Sequence, residues 1–209
     1  MAYFLGLDVG TSGAKALLID ERGRVVAAAS KDYPLSTPRP LWSEQNPDDW
    51  VRSTTASIRA VIEKSGLDSS AITAVGLTGQ MHGLTLLDEK GAPLRPAILW
   101  NDQRSAEDCL RVYDTVGGQE AFIRLTNNSL LPGYTAVKLL WLQRNEPQIY
   151  RRIERILLPK DYIRYRLCDA FGTDFSDASG TGLFDVVNRR WSTQLLESLA
   201  IPRHWLPEC

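Results

Sequence analysis

The chain has 209 residues, 44% of them hydrophobic and 23% charged, with a formal net charge of −1 and a pI near 6.1. That length suits one large domain burying roughly 70% of its unfolded surface, and the near-neutral balance leaves no basic footprint for nucleic acid. Three cysteines without CxxC spacing and two histidines argue against a zinc cluster, no apolar run reaches membrane-span length, and the start lacks a positively charged leader, so a cytoplasmic protein with reduced thiols is expected.

Tyr3 to Leu7 is an apolar run ending at a single carboxylate, Asp8. A turn of small residues, Gly10-Thr11-Ser12-Gly13, joins it to a second apolar run from Ala14 to Ile19, and the pair reads as a β-hairpin. Glycine there permits positive φ and close approach of a ligand to the backbone. Free N–H groups and two hydroxyls suit phosphate oxygens. Asp8 at the hairpin mouth suits Mg²⁺, directly or through water, and Lys15 adds a positive charge. A Walker P-loop is absent, since GxxxxGK[ST] does not occur and a strand follows the glycines.

Asp20 to Gly23 forms a second turn, and Arg24 to Ser30 completes a three-strand meander. Tyr33 to Gln45 carries three prolines and reads as an extended loop. The clearest helix follows: Asn46 caps it, Pro47 suits its first turn, and Asp48 and Asp49 complement the dipole. Val51, Ile58, Val61 and Ile62 share a face, and Gly66 stops it. Ile72 to Thr78 reads as a strand ending in Gly79-Gln80-Met81-His82-Gly83. Short strands are expected at Leu84–Leu87 and Pro96–Trp100, with a turn at Glu89-Lys90-Gly91 between them. Helices are expected at 103–116, 119–124, at 135–145 as an amphipathic one, at 160–167 and at 192–199. Ile156 to Leu158 reads as a brief strand. Residues 171–184, rich in Gly, Ser, Thr and Asp, read as a loop. Lys160 and Asp161 read as structural, and Asp174 and Asp177 as turn formers. The pattern alone supports a mixed α/β domain.

Six segments in order carry a resemblance: Gly6 to Gly13, Leu41-Trp42-Ser43-Glu44-Gln45, Gly79 to Gly83, Ile98-Leu99-Trp100-Asn101-Asp102, Leu158 to Tyr162, and Ser176 to Thr181. Together they resemble the N-terminal domain of the FGGY carbohydrate kinases over essentially the whole chain. The GQMHG segment points to the xylulokinases among them. The resemblance implies an actin-like (ribonuclease H-like) ATPase fold and transfer of the γ-phosphoryl group of ATP, with Mg²⁺, to D-xylulose. By position, Asp8 matches the metal-associated aspartate, and Gly10, Thr11, Ser12, Gly13 and Lys15 lie on the phosphate side. Met81 and His82 match the sugar-contacting pair, and Trp100 matches a wall of the sugar pocket, followed by Asn101 and Asp102. Sugar hydroxyls need polar partners, for which Gln80, His82, Asn101 and Asp102 are suited, while Met81 and Trp100 supply an apolar wall.

The resemblance covers only the first of the family's two domains. It places the catalytic base and the adenosine pocket beyond Cys209, so the expectation is a sugar-binding N-terminal domain over 1–209 that is inactive without a C-terminal nucleotide-binding domain. The surface such a partner domain would cover suggests self-association, as in a homodimer. The alternatives are a non-catalytic module for a sugar or partner, and an actin-like ATPase domain outside the kinases.

Overall fold

Alternation along Tyr3–Val9 (β1) and Gly13–Asp20 (β2) puts Leu5, Leu7, Ala16 and Leu18 on one face, and it builds the first layer of the computed structural model, which describes residues 1–209. The two strands pair antiparallel with Asp8 opposite Lys15, and Val25–Asp32 (β3) completes the expected meander. The proline-rich loop ends in Glu44–Gln45 (β4).

Pro47–Ser65 (α1) has the expected ends: Asn46 accepts from the Asp48 N–H, and Gly66 takes the left-handed φ of 65°. Its buried stripe differs from the expected one. Trp50, Thr54, Ser57 and Val61 are buried, whereas Val51, Ile58 and Ile62 flank them half-buried. Small side chains in that stripe let the helix lie close to the sheet, and Ser57 Oγ donates to Ala14 O at 3.0 Å. Ile72–Gly79 (β5) then pairs parallel with β1, giving the order β3-β2-β1-β5.

Thr85–Leu87 (β6) and Ala97–Ile98 (β7) are shorter than expected, and β7 pairs with β4. The next helix, Asp108–Val116 (α2), starts well after Gln103. The reason is local: the Arg104 N–H and Nε both donate to Asp102 Oδ1 at 2.9 Å, which holds the chain in turns. Gln119–Thr126 (α3) leads to Thr135–Asn145 (α4), which is not amphipathic. Thr135 to Leu139, Trp141 and Leu142 are all buried, because α4 runs through an apolar core of 24 residues.

Pro147–Tyr150 (α5) precedes Arg155–Leu157 (β8), which pairs with β6, and Pro159–Cys168 (α6) follows. The segment expected as loop holds a short helix, Phe175–Ser179 (α7), because the Asp174 carboxylate accepts from the Asp177 N–H and caps it. Phe184–Asp185 (β9) and Arg190–Trp191 (β10) form a hairpin, and Thr193–Ser198 (α8) is the last α-helix. No helix is long and apolar enough to cross a membrane, and all three cysteines are free.

Candidate functional site

Val9 pairs with Gly79 in the parallel β1–β5 ladder. The Gly10–Gly13 turn and the GQMHG segment therefore leave neighbouring strands side by side, at carboxyl ends of the kind where α/β sheets bind ligands. The Gln80 N–H donates to Val9 O at 2.7 Å and fixes that alignment.

In the hairpin turn, the Gly10 N–H donates to Gly13 O at 3.0 Å, Tyr33 N–H donates to Ser12 O at 3.2 Å, and Tyr33 Oη donates to Gly10 O. Neither Gly10 nor Gly13 has positive φ, contrary to expectation. Glycine is required at 13 for space, since a Cβ there would sit 2.8 Å from Lys31 O on β3. The Gly10 N–H is spent on closing the turn, which leaves the Thr11 and Ser12 N–H groups, the Ser12 hydroxyl and the exposed Lys15 to meet an anion. Asp8 is half-buried and enters no ion pair. Burial, and then the charge of Asp8, raises the pKa of Tyr33 above its ordinary value. No group of three His, Cys, Asp or Glu side chains is arranged to hold a metal ion. One free carboxylate beside a turn with unspent N–H groups fits Mg²⁺, which takes few protein ligands and the rest from phosphates and water. It does not fit a metal caged by protein alone.

Gln45 ties the two strand ends together. It is buried, its Nε2 donates to Thr11 O at 2.7 Å, and its Oε1 accepts from Trp50 Nε1 and Gln80 Nε2, each at 2.9 Å. Gln80 is thus committed to the scaffold, and its Oε1 is sealed without a partner. Trp100 reaches the hairpin too: its Nε1 donates to Thr11 Oγ1 at 3.2 Å. Trp100 and Met81 remain open, at 42% and 52% exposure.

His82 occupies a left-handed conformation, φ 60°, which non-glycine residues rarely adopt. Its ring lies 4.7 Å from that of Tyr134 and fills the space a side chain would take at Gly180. Nδ1 is sealed without a partner. Burial first, and then the Lys138 ammonium, lower the imidazole pKa against the opposing pull of Asp177. The ring is therefore neutral at neutral pH and carries one donor and one acceptor nitrogen. Lys138 on α4 is fully buried, and its Nζ donates to His82 O at 2.7 Å and Ile98 O at 3.1 Å.

Asp102, expected to meet a sugar hydroxyl, is instead sealed in the core. Its Oδ2 accepts from the Ser43 N–H at 2.6 Å and Arg104 Nη2 at 2.7 Å, and its Oδ1 is taken twice by Arg104. Arg104 also pairs with Glu44 at 2.7 Å, Glu44 pairs with Arg95, and Arg95 pairs with Glu146 at 2.8 Å. Asn101 is exposed and lines a hollow with Arg39, Leu41 and Trp42. Lys160 donates to Asp161 and Asp174 at 2.7 Å and to Asp177 at 3.1 Å. Burial opposes its charge, yet these carboxylates raise its pKa. The reading of Lys160, Asp161, Asp174 and Asp177 as structural agrees with this arrangement.

The structure therefore brings Asp8, Thr11, Ser12, Lys15, Met81, His82 and Trp100 around two adjacent strand ends, while Gln80 and Asp102 act beneath them. Sequence reasoning did not single out Tyr134, Lys138 or Gly180, and it quoted Gln45 only within a longer segment. The available signal for Lys138 was a lone lysine inside the apolar run Ala136–Leu142.

Residues 3–209 match the N-terminal domain of the FGGY family of carbohydrate kinases. The chain is 45% identical over 204 residues to the xylulose kinase of Escherichia coli K12, covering 98% of this chain and 41% of that one. It is 38% identical to the xylulose kinase of Bacillus subtilis, over 96% of this chain and 40% of that one. A crystal structure of a xylulose kinase from Brucella ovis superposes with a TM-score of 0.93 at 45% identity, covering 99% of this chain and 42% of that one. A gluconate kinase from Lactobacillus acidophilus superposes at 0.90 with 29% identity, covering 99% and 41%. The fold is thus the actin-like one of these kinases, and the chain spans about two fifths of the length of the relatives it matches.

Proposed function

Because the chain belongs to the FGGY family of carbohydrate kinases, we propose that it is the sugar-binding N-terminal domain of a cytoplasmic, ATP-dependent kinase that phosphorylates D-xylulose to D-xylulose 5-phosphate. The observation that carries this reading is the Trp100 indole bonded to Thr11 at 3.2 Å. It sets an open aromatic wall directly against the anion-binding turn, so a sugar hydroxyl and a phosphate can meet there.

Phosphoryl transfer needs positioning and charge neutralisation above all. The Thr11 and Ser12 N–H groups and Lys15 would orient the phosphates of ATP, and Mg²⁺ held at Asp8 supplies charge neutralisation when bound. Met81 and Trp100 pack against the C–H face of the sugar, and the neutral imidazole of His82 hydrogen-bonds a hydroxyl. The base that takes the hydroxyl proton and the adenosine pocket lie in polypeptide outside these 209 residues, so this chain alone is inactive. The choice of D-xylulose rests on the GQMHG segment and on the names of the two curated relatives. The test is an NMR titration of the chain with D-xylulose, D-xylose, L-ribulose and glycerol. D-xylulose is expected to bind preferentially, and His82→Asn to weaken it about tenfold, the worth of one good hydrogen bond. Asparagine tolerates positive φ, so the backbone is preserved. Equal response to all four sugars, or to none, would sink this reading.

A further inference from the structure

We propose that Lys138, buried in α4, is a positioning residue for sugar recognition: its ammonium holds the Met81–His82 turn in register with the strand that carries Trp100. The inference rests on the sugar-binding reading above and deepens it.

The geometry is that of a two-point staple. Lys138 Nζ donates to His82 O at 2.7 Å and to Ile98 O at 3.1 Å. The first carbonyl belongs to the residue with φ 60°, and it receives no other hydrogen bond. The second lies two residues before Trp100 and also accepts from the Leu84 N–H at 2.9 Å. The lysine thus reinforces a backbone bridge that already joins the two segments and fastens the one group in the turn that the bridge does not reach. Around that turn nothing is slack. A side chain at Gly83 would strike Pro159 at the start of α6, and one at Gly180 would strike the His82 ring. A left-handed histidine persists only when its surroundings over-determine it, and here the bond to its carbonyl comes from Lys138.

A buried ammonium is costly unless paired or hydrogen-bonded, so the neighbours of Lys138 matter. Asp102 favours its charge and Arg104 opposes it. Asp102, Arg104, Glu44, Arg95 and Glu146 form an unbroken chain of ion pairs with one excess negative charge, and Lys138 brings the set to neutrality. Burial pulls the pKa of Lys138 down, Asp102 partly offsets that pull, and the hydrogen bonds of Nζ are spent on the sugar-side turn. Neither hydrogen bond of Lys138 goes to the phosphate-side hairpin.

The experiment is a two-dimensional amide NMR titration of wild type and Lys138→Met with D-xylulose. The variant is expected to bind D-xylulose at least tenfold more weakly. Its Gly83, Leu84 and Trp100 amide signals should move, while those of Thr11, Ser12 and Gly13 stay in place. Lys138→Gln, whose amide can still donate to one carbonyl, should fall between the two. Affinity in Lys138→Met within twofold of wild type overturns the inference, as does a shift pattern spread evenly over the hairpin. Loss of folding in both variants makes Lys138 a general core residue and overturns it as well. Silence of the wild type towards D-xylulose instead counts against the sugar-binding reading itself, so the two failures are distinguishable.

Discussion

The turn at residues 10–13 and the turn at residues 80–83 leave two paired strands at the same level, yet the first is held by neutral groups alone and the second by a buried charge. The hairpin turn is closed by two backbone bonds, Gly10 N–H to Gly13 O and Tyr33 N–H to Ser12 O, and braced by neutral side chains: the Tyr33 hydroxyl on Gly10 O and the Gln45 amide and Trp100 indole on Thr11. Its functional groups point outward and carry no buried charge. The second turn is fastened by side chains from far along the chain: Lys138, 56 residues away, with Tyr134 and Gly180 around the ring. Beneath it runs a row of buried ions. A site for phosphate needs little more than exposed N–H groups and a carboxylate, whereas a site that discriminates hydroxyls needs a rigid shell, and only distant parts of the fold can supply one.

The contrast breaks most visibly at Arg104. Arg104→Ala would strand Asp102 in the core without its guanidinium and leave Glu44 with Arg95 alone, and removal of one partner from a buried pair costs about 3–5 kcal/mol. Urea denaturation should show that loss, and a change below about 1 kcal/mol would mean the ion row is not what holds this half together. A smaller effect is expected on the hairpin side. Gly13→Ala puts a methyl group 2.8 Å from Lys31 O, and such overpacking costs about 1–3 kcal/mol. It should shift the amide signals of Thr11 and Ser12 and leave those of Gly83 and Leu84 unmoved.

The third effect is a slope, gradual in pH. Burial lowers the pKa of Lys138 to about 7, with Asp102 opposing and Arg104 assisting, whereas an unfolded lysine titrates near 10.4. Between those values the unfolded chain binds more protons, so stability rises with pH across this window, while below it the cost of burying the charged lysine is constant and the slope from Lys138 is zero. The slope contributed by one group stays below about 1.4 kcal/mol per pH unit. The stability difference between wild type and Lys138→Met, followed from pH 7 to 9, should therefore change steadily in favour of wild type. A constant difference would show that Lys138 keeps its proton throughout.

These two modes of construction also decide what could be read in advance. The meander, α1 with its Asn46 and Gly66 ends, and the outward-facing Asp8, Thr11, Ser12 and Lys15 were legible because their causes are local in sequence. The depth of Asp102 was not, because a carboxylate beside an aromatic strand end looks the same whether it faces solvent or Arg104. The α1 stripe was misjudged for a related reason: periodicity favoured the large aliphatic side chains, but Thr54 and Ser57 are what let the helix approach β2. The α4 lysine broke an apolar pattern without saying which carbonyls it would meet.

The row from Lys138 to Glu146 has a consequence for how this sequence can drift. Two cations and three anions alternate through its ion pairs, and the charge of Asp102 acts on Lys138 beside them, so a single replacement unbalances the set, while a matched double replacement by apolar residues of similar volume need not. Substitutions along this row should therefore arrive in compensated pairs. The exposed Ser12 and Lys15 of the hairpin lie outside this row and can change one at a time without stranding a buried charge, so the two ends of the site are free to diverge at different rates.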